Sequence, residues 1–131
     1  MKLHLHVYIY IYFNKHFSGD KDNTSKFIQK FLDMSQICHP SQQLLRHGAN
    51  ELFVGRAGYL CMAMWMNKRI GRNVVPSNII QVLFHAVIND GKSYSRQHRS
   101  PSPLMFAYYD TEYLGNIFAV TQLQILCSMT L

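Results

Sequence analysis

The stretch Asn50–Cys61, NELFVGRAGYLC, places two glycines three residues apart, Gly55 and Gly58, at the head of an apolar run. The run continues as LCMAMWM to Met66. Glycine inside a helix costs about 1 kcal/mol relative to alanine. Its presence here marks a backbone requirement, and its neighbours define the requirement. From Ala57 to Met66 almost every position is apolar, and a helix that is apolar all round is buried all round. Asn67-Lys68-Arg69 and Gly71 end the run with cations that complement the helix dipole and a glycine stop. The glycines therefore stand where a buried helix begins.

Two amphipathic patterns flank this helix. Upstream, Thr24 is a candidate cap for a helix from Ser25 to about Ile37, with Phe27, Ile28, Phe31, Leu32 and Ile37 on one side. Downstream, Ser77 beside Pro76 is a candidate cap for a helix running to about Arg96. Its apolar stripe is Ile80, Leu83, Phe84, Val87, Gly91 and Tyr94. Its wet stripe is Gln81, His85, Asn89, Lys92 and Arg96. Ser100-Pro101-Ser102-Pro103 breaks the chain, and each serine is a candidate phosphorylation site. A fourth, apolar helix is expected over residues 117–131. Amphipathic and buried helices thus alternate, which predicts two layers. Gly55 and Gly115 stand 60 residues apart, compatible with a helix-pair repeat.

The 131 residues suffice for one core, and 48% are hydrophobic against 15% charged. The longest apolar run is too short for a bilayer span. The net charge is +6, but the basic residues are dispersed along helix ends, so no nucleic-acid partner is expected. Cys38, Cys61 and Cys127 are an odd set with wide spacing, which argues for a reducing compartment. At the N-terminus, MKLHLHVYIYIYF alternates like a strand and lacks a small-residue signal cleavage site. Tyr-Ile-Tyr-Ile-Tyr is also what an alternating A–T tract encodes. Residues 1–23 are therefore expected to be disordered or artefactual, and 24–131 to form the domain.

The elements NELFVGRAGYL, NKRIG, VPSNIIQ and SPLMFAYYDTEYLG, in this order, closely resemble the LanC-like proteins of animals, most of all their third vertebrate paralogue. The resemblance spans about Lys26–Gly115. It implies an all-α fold, an α/α toroid of the six-hairpin-glycosidase-like barrel type. This chain would be a fragment carrying about two of its helix pairs. Gly-x-x-Gly motifs begin the inner helices of that fold, which assigns Gly55, Gly58 and Gly115 to structural turns.

The family is similar to bacterial lantibiotic cyclases, which use zinc to activate a thiol. Its animal members bind glutathione and are linked to thiol addition to dehydroamino acids on phosphoprotein-derived peptides. Zinc lowers the pKa of a bound thiol, which makes thiolate available at neutral pH.

The family's zinc ligands, a cysteine and a later Cys-His pair, lie beyond the part this chain matches. Its histidine, in a Gly-x-x-His-Gly element after EYLG, is replaced here by Asn116-Ile117-Phe118-Ala119. Cys38-His39 matches the Cys-His pair only as a dipeptide, and a zinc site needs three or four convergent ligands. No metal site and no bound cofactor are expected in this chain. Glu51 is the one catalytic candidate, at a position where the cyclases carry an acidic residue. The expectation is a catalytically inactive, cytoplasmic chain, with peripheral plasma-membrane contact as an option. The alternative is a short helical interaction protein that binds a protein partner or an anionic membrane surface.

Overall fold

The computed structural model describes residues 21–41, 49–50, 55–70 and 73–106. These residues contain three helices and no strand: α1 (Lys21–Cys38), α2 (Arg56–Ile70) and α3 (Ser77–Gln97). The alternating N-terminal tract up to residue 20, Glu51, Gly115 and the expected helix over 117–131 lie outside the described residues.

Helix α1 begins four residues before Ser25, so Thr24 lies within it rather than capping it. The buried face is Phe31, Ser35 and Cys38, with Phe27, Ile28 and Leu32 beside it. Ile37 is instead 56% exposed. At 100° per residue it lies well round the helix from Phe31 and Cys38, which the apolar count alone did not register.

Helix α2 is the central element. Arg56 to Cys61 are all buried, and Ala63 and Met66 continue the buried face. Met62, Met64 and Trp65 are only half-buried among the described residues, so the expected all-round burial holds for the first half of the helix. Lys68 and Arg69 sit exposed in the last turn, as the dipole favours.

Helix α3 packs antiparallel on α2. Leu83, Val87, Gly91 and Ser95 form its buried face. Phe84 is 38% exposed, and Ser95 rather than Tyr94 continues the inner stripe. The wet stripe of Gln81, His85, Asn89, Lys92 and Arg96 is exposed as expected. Pro76, not Ser77, occupies the N-cap, and no side chain caps the helix. The Pro76 carbonyl accepts the first helical N–H groups, from Ile79 and Ile80.

The short α2–α3 connection is held by Asn67. Its Nδ2 donates to the Val75 carbonyl at 2.9 Å, and its Oδ1 accepts the Val75 N–H at 2.9 Å. One side-chain amide thus satisfies both backbone groups of a fully buried residue. After α3, the Arg99 N–H donates to the Arg96 carbonyl and the Ser100 N–H to the Ser95 carbonyl. This is a Schellman closure, with Arg99 at φ 48° in the place glycine usually takes. The chain then turns back along α3. The Met105 N–H donates to the Gly91 carbonyl at 3.2 Å. A Cβ on Gly91 would lie 2.5 Å from Phe106 Cζ, so only glycine lets this segment approach so closely.

Candidate functional site

A network of polar side chains gathers at the N-terminus of α2. Gly55 is buried immediately before the helix, and its carbonyl accepts the Tyr59 N–H at 3.3 Å, the first intrahelical bond. Gly58 is buried in the first turn. Gly55 thus precedes the helix and Gly58 lies in its first turn.

Between them sits Arg56, only 5% exposed. A cation at a helix N-terminus opposes the dipole, and a buried charge must be paired. Arg56 is held on several sides. Its Nε donates to the Cys38 carbonyl at 2.8 Å, which ties α2 to the end of α1. Its guanidinium also donates to Asn50 Oδ1 at 3.2 Å and pairs with Asp90 Oδ2 of α3 at 3.1 Å. Asn50 Nδ2 in turn donates to the same Asp90 oxygen at 2.9 Å. The Arg56 N–H donates to the Ala49 carbonyl at 2.8 Å. One side chain thus joins both flanking helices and the turn preceding α2.

Beneath this knot, Tyr59 stacks on Phe31, with ring centroids 4.5 Å apart and planes 5° from parallel. Its hydroxyl donates to the Phe31 carbonyl at 3.2 Å. Burial pushes the Tyr59 phenol well above its usual range, with the nearby Cys38 adding to the effect and a Ser35 hydrogen bond opposing it. Burial also raises the Cys38 thiol to about 11, although the Arg56 charge pulls the other way. Cys61 is pushed to about 11 by burial alone. Both groups are therefore thiols at neutral pH, packed as small apolar side chains, and neither is a ready nucleophile or metal ligand.

Cys38 and His39 do not act together. Cys38 faces the core, while His39 is exposed and shares a 2.8 Å hydrogen bond with Ser41. Among the described residues, no three His, Cys, Asp or Glu side chains converge as metal ligands would. His85 and His98 are exposed, and His98 stacks on Tyr94 with centroids 3.9 Å apart. A pocket of about 250 Å³ opens between the end of α1 and the start of α3, lined in part by Ser35, His39, Asn78 and Val82. Among the described residues, no helix is long and apolar enough to cross a membrane.

The knot went unread in the sequence. Neither Arg56 nor Asp90 stands out in the residue pattern. A signal was present: a lone charge inside ten apolar neighbours has to find a partner.

The described residues form an all-helical structure in which the buried start of α2 packs between α1 and α3. No protein-family model matches the chain, and no solved structure matches it. A 68-residue stretch, 50% of the chain, is 32% identical to the Danio rerio protein named glutathione S-transferase LANCL1. This similarity links half of the chain to a LanC-like protein. The matched stretch spans only 17% of that relative's length.

Proposed function

We propose that this chain supplies helix pairs of a LanC-like α/α toroid, with α2 as an inner helix and α1 and α3 as outer ones. The observation that carries this reading is the 32% identity over 68 residues to a LanC-like relative. The alternation of buried and amphipathic helices agrees with it. On this reading the complete protein's ligands are glutathione and phosphoprotein-derived peptides carrying dehydroamino acids. Its chemistry is C–S bond formation. The placement beside the third vertebrate paralogue and the peripheral contact with the plasma membrane belong to the same proposal.

The residues described here act as scaffold. Gly55 and Gly58 start the inner helix, and Arg56 locks that start to both outer helices. With Cys38 and Cys61 buried as thiols, no step of thiol addition is assigned to them. The test is to incubate the purified chain with zinc, glutathione and a dehydroalanine-containing peptide, and to follow adducts by mass spectrometry. Adduct formation no faster than in the protein-free control is expected. Formation well above that control would overturn the scaffold reading.

A second reading, a helical interaction module, draws on the exposed apolar side chains Ile37, Val82 and Phe84. A pull-down in which charge-neutral substitutions at these three positions abolish a stoichiometric partner would favour it.

A further inference from the structure

The end of α3 carries a feature that the scaffold reading does not use. Lys92, Arg96 and Arg99 are exposed there, and among the described residues no carboxylate pairs with any of them. Arg96 and Arg99 lie on the turn that the Schellman bonds close, directly before Ser100-Pro101. Cations near a helix C-terminus are favoured by the dipole, and three of them together create a local positive field.

The two Ser-Pro steps of this segment differ in their hydrogen bonds. The Ser100 hydroxyl oxygen only accepts, from the Ser102 N–H at 3.1 Å. Ser102 is committed: its hydroxyl donates to the Leu104 carbonyl at 2.7 Å, and its own carbonyl accepts from the Ser95 hydroxyl. A phosphate on Ser102 would remove the donor that holds Leu104 and disrupt the return of the chain along α3. A phosphate on Ser100 removes no bond, because its oxygens can accept the same Ser102 N–H. Pro101 beside it is exposed.

We propose that Ser100 is a phosphorylation site for a proline-directed serine/threonine kinase, and that Arg96 and Arg99 hold the phosphate. In the transfer, the Ser100 hydroxyl oxygen attacks the γ-phosphorus of ATP. The new O–P bond forms as the bond to ADP breaks, and the hydroxyl proton passes to the kinase's base. The product carries a charge near −2 beside two guanidinium groups, which offsets the repulsion that a phosphate otherwise meets at a helix C-terminus.

The experiment treats the full chain with a proline-directed kinase and ATP, and maps the phosphate by mass spectrometry. Occupancy at Ser100 at least tenfold above Ser102 is expected, and Ser100→Ala should abolish it. Dominant labelling of Ser102, or no labelling of the segment, overturns the assignment. For the arginine cradle, chains carrying phosphoserine at position 100 by genetic incorporation are melted at low and high salt. The phosphate should raise the melting temperature at low salt, and the gain should vanish at high salt and in an Arg96→Gln/Arg99→Gln background. A phosphate that lowers the melting temperature of the unsubstituted chain overturns the cradle.

Discussion

Replacing Arg56 by methionine should separate the contributions to the knot at the start of α2. Methionine keeps most of the aliphatic stem, so little apolar packing is lost. The guanidinium disappears, and with it the 2.8 Å bond to the Cys38 carbonyl. A charge-assisted hydrogen bond contributes about 1.5–3 kcal/mol, and a buried carbonyl left unpaired costs a similar amount. The Asp90 link adds less. Asp90 is 52% exposed, and a pair with one such partner is worth about 1 kcal/mol or less. A loss of about 2–4 kcal/mol is therefore expected for Arg56→Met, and about 1 kcal/mol for Asp90→Ala. Urea unfolding followed by helical circular dichroism reads both, provided the slope with denaturant is unchanged. The double variant should be no less stable than Arg56→Met alone, because an exposed Asp90 without its partner returns to water. An Arg56→Met loss below about 0.5 kcal/mol would show that the backbone bond is not the dominant link. An Asp90→Ala loss equal to that of Arg56→Met would refute the reasoning in another way, by making the guanidinium a charge that depends on its counter-ion.

Three further outcomes follow from the geometry. Gly91→Ala places a methyl 2.5 Å from Phe106 Cζ and should destabilise the chain, whereas in a Phe106→Ala background the same change should cost less, because only the 3.1 Å contact with Leu104 Cδ2 then opposes the helix-propensity gain of up to about 1 kcal/mol; thermal melts of the four chains decide it. Asn67→Ala should cost about 2–3 kcal/mol by orphaning both backbone groups of Val75, and Asn67→Asp should also destabilise, because it keeps the acceptor for the Val75 N–H but turns a carboxylate oxygen towards the Val75 carbonyl, as denaturant titration would show. Cys38 and Cys61 ionise near 11 in the folded chain against an ordinary 9.0, so the unfolded chain releases these protons first. Their contribution to stability is complete below pH 9 and is lost as pH rises towards 11, and both thiols should resist a thiol-specific reagent at neutral pH until the chain is unfolded.

The helices were legible because their signal is local. The all-apolar run at Ala57–Met66 named the buried helix, and the polar stripe from Gln81 to Arg96 named the wet face of α3. Errors arose where a side chain's surroundings depend on distant residues. Phe84 is exposed and Ser95 buried because the contact line of α3 follows Leu83, Val87, Gly91 and Ser95, a spacing of four, and a count of apolar residues is drawn to the larger side chains. Asn67 carries no propensity signal for its role, since clamping Val75 requires the chain to turn first. Arg56 is the sharpest case: its partners Cys38, Asn50 and Asp90 are spread over 18, 6 and 34 positions of sequence. Glu51 and Gly115 lie outside the described residues, and the structure does not bear on them.

The Asn67 clamp and the Arg56–Asp90 link stand at opposite ends of the same helix pair. The first spans 8 positions along the chain and the second 34. The corner can therefore close early, at small entropic cost, and the far end is fastened only once the two helices lie side by side. A pair stitched at both ends has a fixed register. Sliding α3 along α2 by one turn, about 5.4 Å, would tear one of the two stitches. In a closed ring of helices, where each pair must match the next, such a pair behaves as a spacer of set length.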